Sequence, residues 1–107
     1  MMRHVSVFRV KPECRTPEIL DRLEEELNAL PRQVPSITAC EVGRKPMAMP
    51  TESPDGHVKF YDLIQTITFA SLEDCMAYPT TIGHQELLAT SSPWMEEVVG
   101  IDYPVDD

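Results

Sequence analysis

The stretch FYDLIQTITFASLEDCMAYPTTIGHQELL, residues 60–88, changes its hydrophobic period halfway along. Residues 60–69 alternate and are rich in β-branched and aromatic side chains, which predicts a strand. Tyr61, Leu63, Ile67 and Phe69 take one face of it; Ile64, Thr66 and Thr68 take the other. Gln65 interrupts the apolar face, and a buried amide there needs a partner or a ligand, since an unpaired polar group costs about 1–3 kcal/mol. Ser71 and Asp74 form a loose capping box that opens a helix. That helix breaks between Pro79 and Gly83, two helix breakers flanking two threonines. Tyr78 and His84 stand at the two lips of the break.

Outward from this stretch the chain alternates in the same manner. HVSVFRV (4–10) predicts a strand. Thr16 and Pro17 then supply a helix cap and first-turn proline. Ile19, Leu20, Leu23, Leu27 and Leu30 make one apolar stripe, opposite Asp21, Glu24, Glu25 and Asn28, and the helix is expected to end near Pro31. SITACEVG (36–43) is a second strand, and residues 45–57, with three prolines, are a loop. Ser92-Pro93 caps a short turn, VVGIDY (98–103) is the last strand, and VDD (105–107) reads as a frayed tail. The order is β-α-β-β-α-β, an α+β, ferredoxin-like arrangement with both helical segments on one face of an antiparallel sheet. Residues 1–107 are expected to form a single domain.

Both faces of that sheet are apolar. Phe8 and Val10 alternate with Val5 and Val7, and Val99 and Ile101 with Val98. The helices cover one face, so the other is expected to meet a second copy in a C2 homodimer. A net charge of −9 counts against nucleic acid or an anionic membrane as partner. No apolar run approaches the roughly 18 residues of a membrane span, and the start MMRHVSVFRV is too short in apolar residues for a signal peptide. Cys14, Cys40 and Cys75 are odd in number and lack a CxxC, which predicts free thiols in the cytoplasm. No Cys or His pair has zinc-ligand spacing, and no nucleotide or cofactor motif occurs, so neither metal nor cofactor is expected.

Three histidines could carry chemistry. His57 lies in the loop and reads as a solvated group. His4 is in phase with Ser6 and Phe8, on the face the helices cover, either as a satisfied core histidine or as part of a site. His84 opens the renewed helical run, where free N–H groups disfavour imidazolium and keep a general base neutral. Tyr78, six residues earlier, is either an amphipathic helix-end residue or a donor to an oxygen gaining negative charge.

MRHVSVFRVKP (2–12), LPRQVPSI (30–37), CEVGRK (40–45), YDLIQTITFASLEDCMAY (61–78) and IDYP (101–104), in this order and spacing, resemble the stress-responsive dimeric α+β-barrel family over nearly the whole chain. The resemblance implies two ferredoxin-like protomers whose sheets pair into a barrel. Polyketide cyclases of that family close a linear thioester by aldol condensation. They use a tyrosine and a histidine six residues apart in a helix break, a pattern that Tyr78 and His84 match. By the same likeness His4, Ser6, Phe8, Leu23, Leu27, Gln65, Trp94 and Met95 are expected to line a substrate pocket. There are departures. Many relatives carry His-Pro where this chain has Thr81 and Ile82, and the cyclase has an apolar residue at Gln65 and an aromatic at Leu27. The implied function is a cofactor-independent cyclase or lyase that removes an α-proton from a polyketide-like or β-keto small molecule. The alternatives are a non-catalytic, stress-associated ligand-binding dimer and a cofactor-free quinol monooxygenase.

Overall fold

Four antiparallel strands form one sheet in a computed structural model that describes residues 1–106. They are β1 (Met2–Val10), β2 (Ile37–Arg44), β3 (Leu63–Phe69) and β4 (Met95–Pro104), in the order β2-β3-β1-β4 across the sheet. Three helices, α1 (Pro17–Gln33), α2 (Leu72–Ala77) and α3 (Ile82–Ser91), complete a ferredoxin-like α+β fold. No helix among the described residues is long and apolar enough to cross a membrane. Leu20, Leu23, Leu27 and Leu30 of α1 are buried with Phe8, Val10, Leu63, Ile67 and Phe69 of the sheet. On the opposite face Ile64, Val99, Ile101 and Tyr103 are exposed.

The first helix does not stop at Pro31. It runs through that residue to Gln33. Proline in a helix leaves the carbonyl four residues back without its donor, and here that carbonyl belongs to Leu27. Gln65 on β3 supplies the replacement, its Nε2 donating to the Leu27 carbonyl at 2.9 Å, with Cys40 Sγ approaching the same oxygen at 3.8 Å. The amide that interrupts an apolar strand is therefore matched to a defect in the helix above it. Replacing Gln65 with leucine should cost about 1–3 kcal/mol by leaving that carbonyl only the weak Cys40 thiol as donor, read from urea unfolding. Pro31→Ala in the same chain should return much of the loss, because residue 31 would then carry its own N–H.

Other differences from the sequence reading have equally local causes. Strand β4 starts at Met95 because a 3₁₀ turn, Ser92–Trp94, hands the chain straight to it. Val105 N–H bonds the Met1 carbonyl at 2.9 Å, so the tail is tied at that point, and Asp107 lies outside the described residues. Gly83 does not break the helix: it is the second residue of α3. A Cβ there would sit 2.7 Å from Val34 Cγ2 and 3.0 Å from Gln33 Cβ, so glycine lets α3 close on the end of α1. The break itself is a 3₁₀ turn, Tyr78–Thr80, with Pro79 inside it.

One charged cluster pins the far end of the sheet. The Asp62 carboxylate, almost wholly buried, takes Arg15 Nε at 2.9 Å, Arg15 Nη2 at 3.2 Å and the Val10 N–H at 2.9 Å. Lys45 Nζ lies 3.9 Å away, and the Asp62 N–H bonds the Phe8 carbonyl at 2.7 Å. This cluster joins the end of β1, the approach to α1, the end of β2 and the start of β3.

Candidate active site

A cavity of about 260 Å³ lies between the β1 side of the sheet and α3. Its floor is set by register. Ser6 pairs across the sheet with Gln65 on one side and Gly100 on the other, and His4 pairs with Ile67 and Asp102. His4, Ser6 and Phe8 therefore present one row of side chains to the helices, with Gln65 beside them. The roof comes from Tyr78, His84, Leu87, Leu88 and Ser91, and one end is closed by Met95 and Val98.

Tyr78 and His84 face this space together. Their ring centroids are 4.6 Å apart with planes at 71°. The Tyr78 ring also meets His4 at 5.5 Å and Phe69 at 5.4 Å, which fixes its position. Thr81 ties the pair together. Its Oγ1 donates to the Tyr78 carbonyl at 2.8 Å and accepts the His84 N–H at 3.3 Å, capping α3.

The electrostatics suit a base and a donor. Burial lowers the His84 pKa; the Pro79 carbonyl opposes this without a well-formed hydrogen bond, and nearby His4 adds to the lowering. Burial is thus the largest cause that favours the neutral ring. His84 Nδ1 is buried with no hydrogen-bond partner among the described residues. Burial raises the Tyr78 pKa strongly, so its hydroxyl keeps its proton, and it bonds to none of the described residues.

His4 is not an isolated core histidine. Its Nδ1 lies 2.6 Å from Asp102 Oδ1 and its Nε2 lies 3.0 Å from Ser6 Oγ. Cys75 Sγ reaches the same Asp102 oxygen at 3.5 Å; burial first, and then that carboxylate, push its thiol up to about 11. This leaves it a poor nucleophile.

Seven of the ten residues expected at the site line the cavity: His84, Tyr78, His4, Ser6, Phe8, Gln65 and Met95. Leu23 and Leu27 do not. Helix α1 packs against β2, so its stripe fills the other half of the interlayer space as solid core. Trp94 packs against that core from its turn rather than facing the cavity. His57 stays in the exposed loop beside Asp55. Asp102, Thr81 and the α3 residues Leu87, Leu88 and Ser91 were not anticipated. Thr81 carries a legible signal, a capping residue three positions before His84, whereas Asp102 becomes visible only once β1–β4 register is known.

The architecture recurs widely. A crystal structure of a protein from Arabidopsis thaliana is 21% identical, with all of this chain and 97% of that one aligned at a TM-score of 0.79. The hydroxynitrile lyase from Passiflora edulis is 18% identical, covering 99% of this chain and 94% of its own, at a TM-score of 0.75. A dimeric ferredoxin-like protein of unknown function from Thermobifida fusca is 19% identical over 97% of this chain and 90% of its own, at a TM-score of 0.76. At these identities the likeness establishes the fold. No curated protein matches in sequence. The family model for the stress responsive A/B barrel domain matches residues 2–105, and the chain belongs to that family.

Proposed function

We propose that the protein is a cofactor-independent cyclase or lyase that removes an α-proton from a small polyketide-like or β-keto substrate. The observation that carries this is the meeting of Tyr78 and His84 on one cavity, with their ring centroids 4.6 Å apart. A neutral imidazole takes the proton from the carbon next to a carbonyl. The protonated Tyr78 hydroxyl holds the oxygen on which enolate charge develops. The carbanion then adds to a second carbonyl of the same chain, and His84 returns its proton to the alkoxide formed. Phe8, Leu87, Met95 and Val98 give the cavity apolar walls, and a volume of about 260 Å³ suits a small ligand. A hydroxynitrile lyase on the same fold supports small-molecule lyase chemistry in this architecture. The test is deuterium uptake at the α-carbon of β-keto acids and thioesters in D₂O, compared between the natural protein and His84→Ala.

The same reading takes the protein to be a homodimer. The exposed apolar row of Ile64, Val99, Ile101 and Tyr103 supports this, as does a dimeric relative with the same fold. Ile101→Asp, 63% exposed in the single chain, should convert the dimer to monomer in size-exclusion chromatography with light scattering. A monomeric natural protein would sink the assignment. Three cysteines without disulfides fit a cytoplasmic setting.

A further inference from the structure

We propose that Ser6, His4 and Asp102 form a second reactive centre in the cavity, in which Ser6 Oγ attacks the carbonyl carbon of an ester or thioester and carries the acyl group. The atoms stand in the order that serine acyl transfer requires. A carboxylate accepts from one imidazole nitrogen, and the other nitrogen faces the hydroxyl. Here Asp102 Oδ1 lies 2.6 Å from His4 Nδ1, and His4 Nε2 lies 3.0 Å from Ser6 Oγ. With Nδ1–H directed at the carboxylate, the neutral ring presents its Nε2 lone pair to the serine hydroxyl. Asp102 is itself anchored by the Cys75 thiol at 3.5 Å.

Strand register builds this arrangement rather than a chance rotamer. Ser6 and His4 are two apart on β1, hence on one face, and Asp102 is the β4 partner of His4. The β4 partner of Ser6 is Gly100. A Cβ at Gly100 would lie 3.3 Å from the Val5 carbonyl, 3.6 Å from Ser6 Oγ and 3.8 Å from His4 Cε1. A side chain at 100 would crowd the Val5 carbonyl and stand in van der Waals contact with the hydroxyl and the imidazole. Ser6 and His4 both line the cavity, and the Tyr78 hydroxyl opens on the same space, with its ring 5.5 Å from that of His4.

In the acylation step the Ser6 oxygen bonds to the carbonyl carbon as His4 Nε2 takes the hydroxyl proton. The Tyr78 hydroxyl donates to the oxyanion of the tetrahedral intermediate. The carbon–sulfur bond, or carbon–oxygen bond for an ester, then breaks, and His4 gives its proton to the leaving thiolate or alkoxide. Water attacks the acyl-serine with His4 again as base, releasing a carboxylic acid and restoring Ser6. No electrons change hands. Asp102 touches no substrate and acts through His4 as a positioning residue.

This centre stands apart from α-proton abstraction, since covalent capture of Ser6 requires no turnover by His84. The experiment treats the full-length protein with a fluorophosphonate and locates the adduct by peptide mass mapping. One adduct on Ser6 is expected, absent in Ser6→Ala. It should form at least about tenfold more slowly in Asp102→Asn, in the direction of the roughly 10⁴-fold loss that the same change causes in serine proteases. Acetyl- and acetoacetyl-N-acetylcysteamine should release thiol and leave a transient acyl group mapped to the same serine. No adduct in the natural protein, adducts on cysteine or tyrosine alone, or equal rates in Asp102→Asn would overturn the proposal. The primary reading is taken on the unaltered chain, so it does not depend on any variant folding.

Discussion

Replacing His84 with alanine should slow deuterium uptake at the substrate α-carbon by roughly 10²–10⁴-fold, the usual contribution of a positioned general base. Tyr78→Phe should cost on the order of 10²-fold, because the ring remains against His4 and Phe69 while the oxyanion donor is lost. Burial holds the His84 pKa below its ordinary 6.5, so the neutral base is present through the neutral range. The acid limb of the exchange rate should therefore fall at a pH below 6.5. The same shift has a stability counterpart with a definite sign. The unfolded chain takes up the proton more readily than the folded one, so stability declines as pH falls past about 6.5, and the loss is complete below the folded value. Equal exchange by the natural protein and His84→Ala would remove His84 from the chemistry.

Asp62→Ala should destabilise the fold by about 3–5 kcal/mol, since it strands a cation beside a buried site. Burial on its own would raise the Asp62 pKa. The hydrogen bonds from Arg15 and Val10 and the charges of Arg15 and Lys45 together outweigh burial and lower it. A carboxylate whose folded pKa is depressed contributes stability above its unfolded value. That contribution is lost as pH falls through the folded value, below the ordinary 3.8. Urea unfolding of Asp62→Ala at neutral pH, with the natural protein followed from pH 5 downward, reads both effects. A loss under about 1 kcal/mol would place the cluster among ordinary surface pairs. The site should suffer along with the fold, because Asp62 holds the start of the strand that carries Gln65.

The sequence made the elements legible where local chemistry decides them. Alternation in 60–69, the Thr16 cap and the stripe from Leu20 to Leu30 each rest on residues close in the chain; the cap and the stripe appear in the structure, and the strand appears from Leu63 to Phe69, three residues shorter than expected at its start. Tyr78 and His84 were legible for the same reason: a short break sets both. The parts that sequence did not disclose depend on contacts between distant segments. Pro31 stops a helix only when the freed carbonyl has no other donor, and Gln65 is thirty-eight residues away from that carbonyl. Gly83 looked like a breaker because glycine is one in isolation; the Val34 side chain shows that it serves close packing. Leu23 and Leu27 were placed in a pocket by likeness, yet which half of the interlayer space α1 fills is decided by its packing on β2. His4 changes character altogether when Asp102 is brought opposite it from 98 residues away.

The pairing of Gln65 with the Leu27 carbonyl also limits how such a chain can drift. If Gln65 were lost first, a buried oxygen would keep only the weak Cys40 thiol at 3.8 Å as donor, and the intermediate sequence would be handicapped. If Pro31 were replaced first, the new N–H would serve that oxygen while the glutamine still could, and nothing would be orphaned. The two substitutions lead to the same end point, but only one order of steps is downhill. Descendants with an apolar residue at 65 should accordingly have abandoned proline at 31 beforehand, which makes position 31 the gate through which the floor of the cavity can change its polarity.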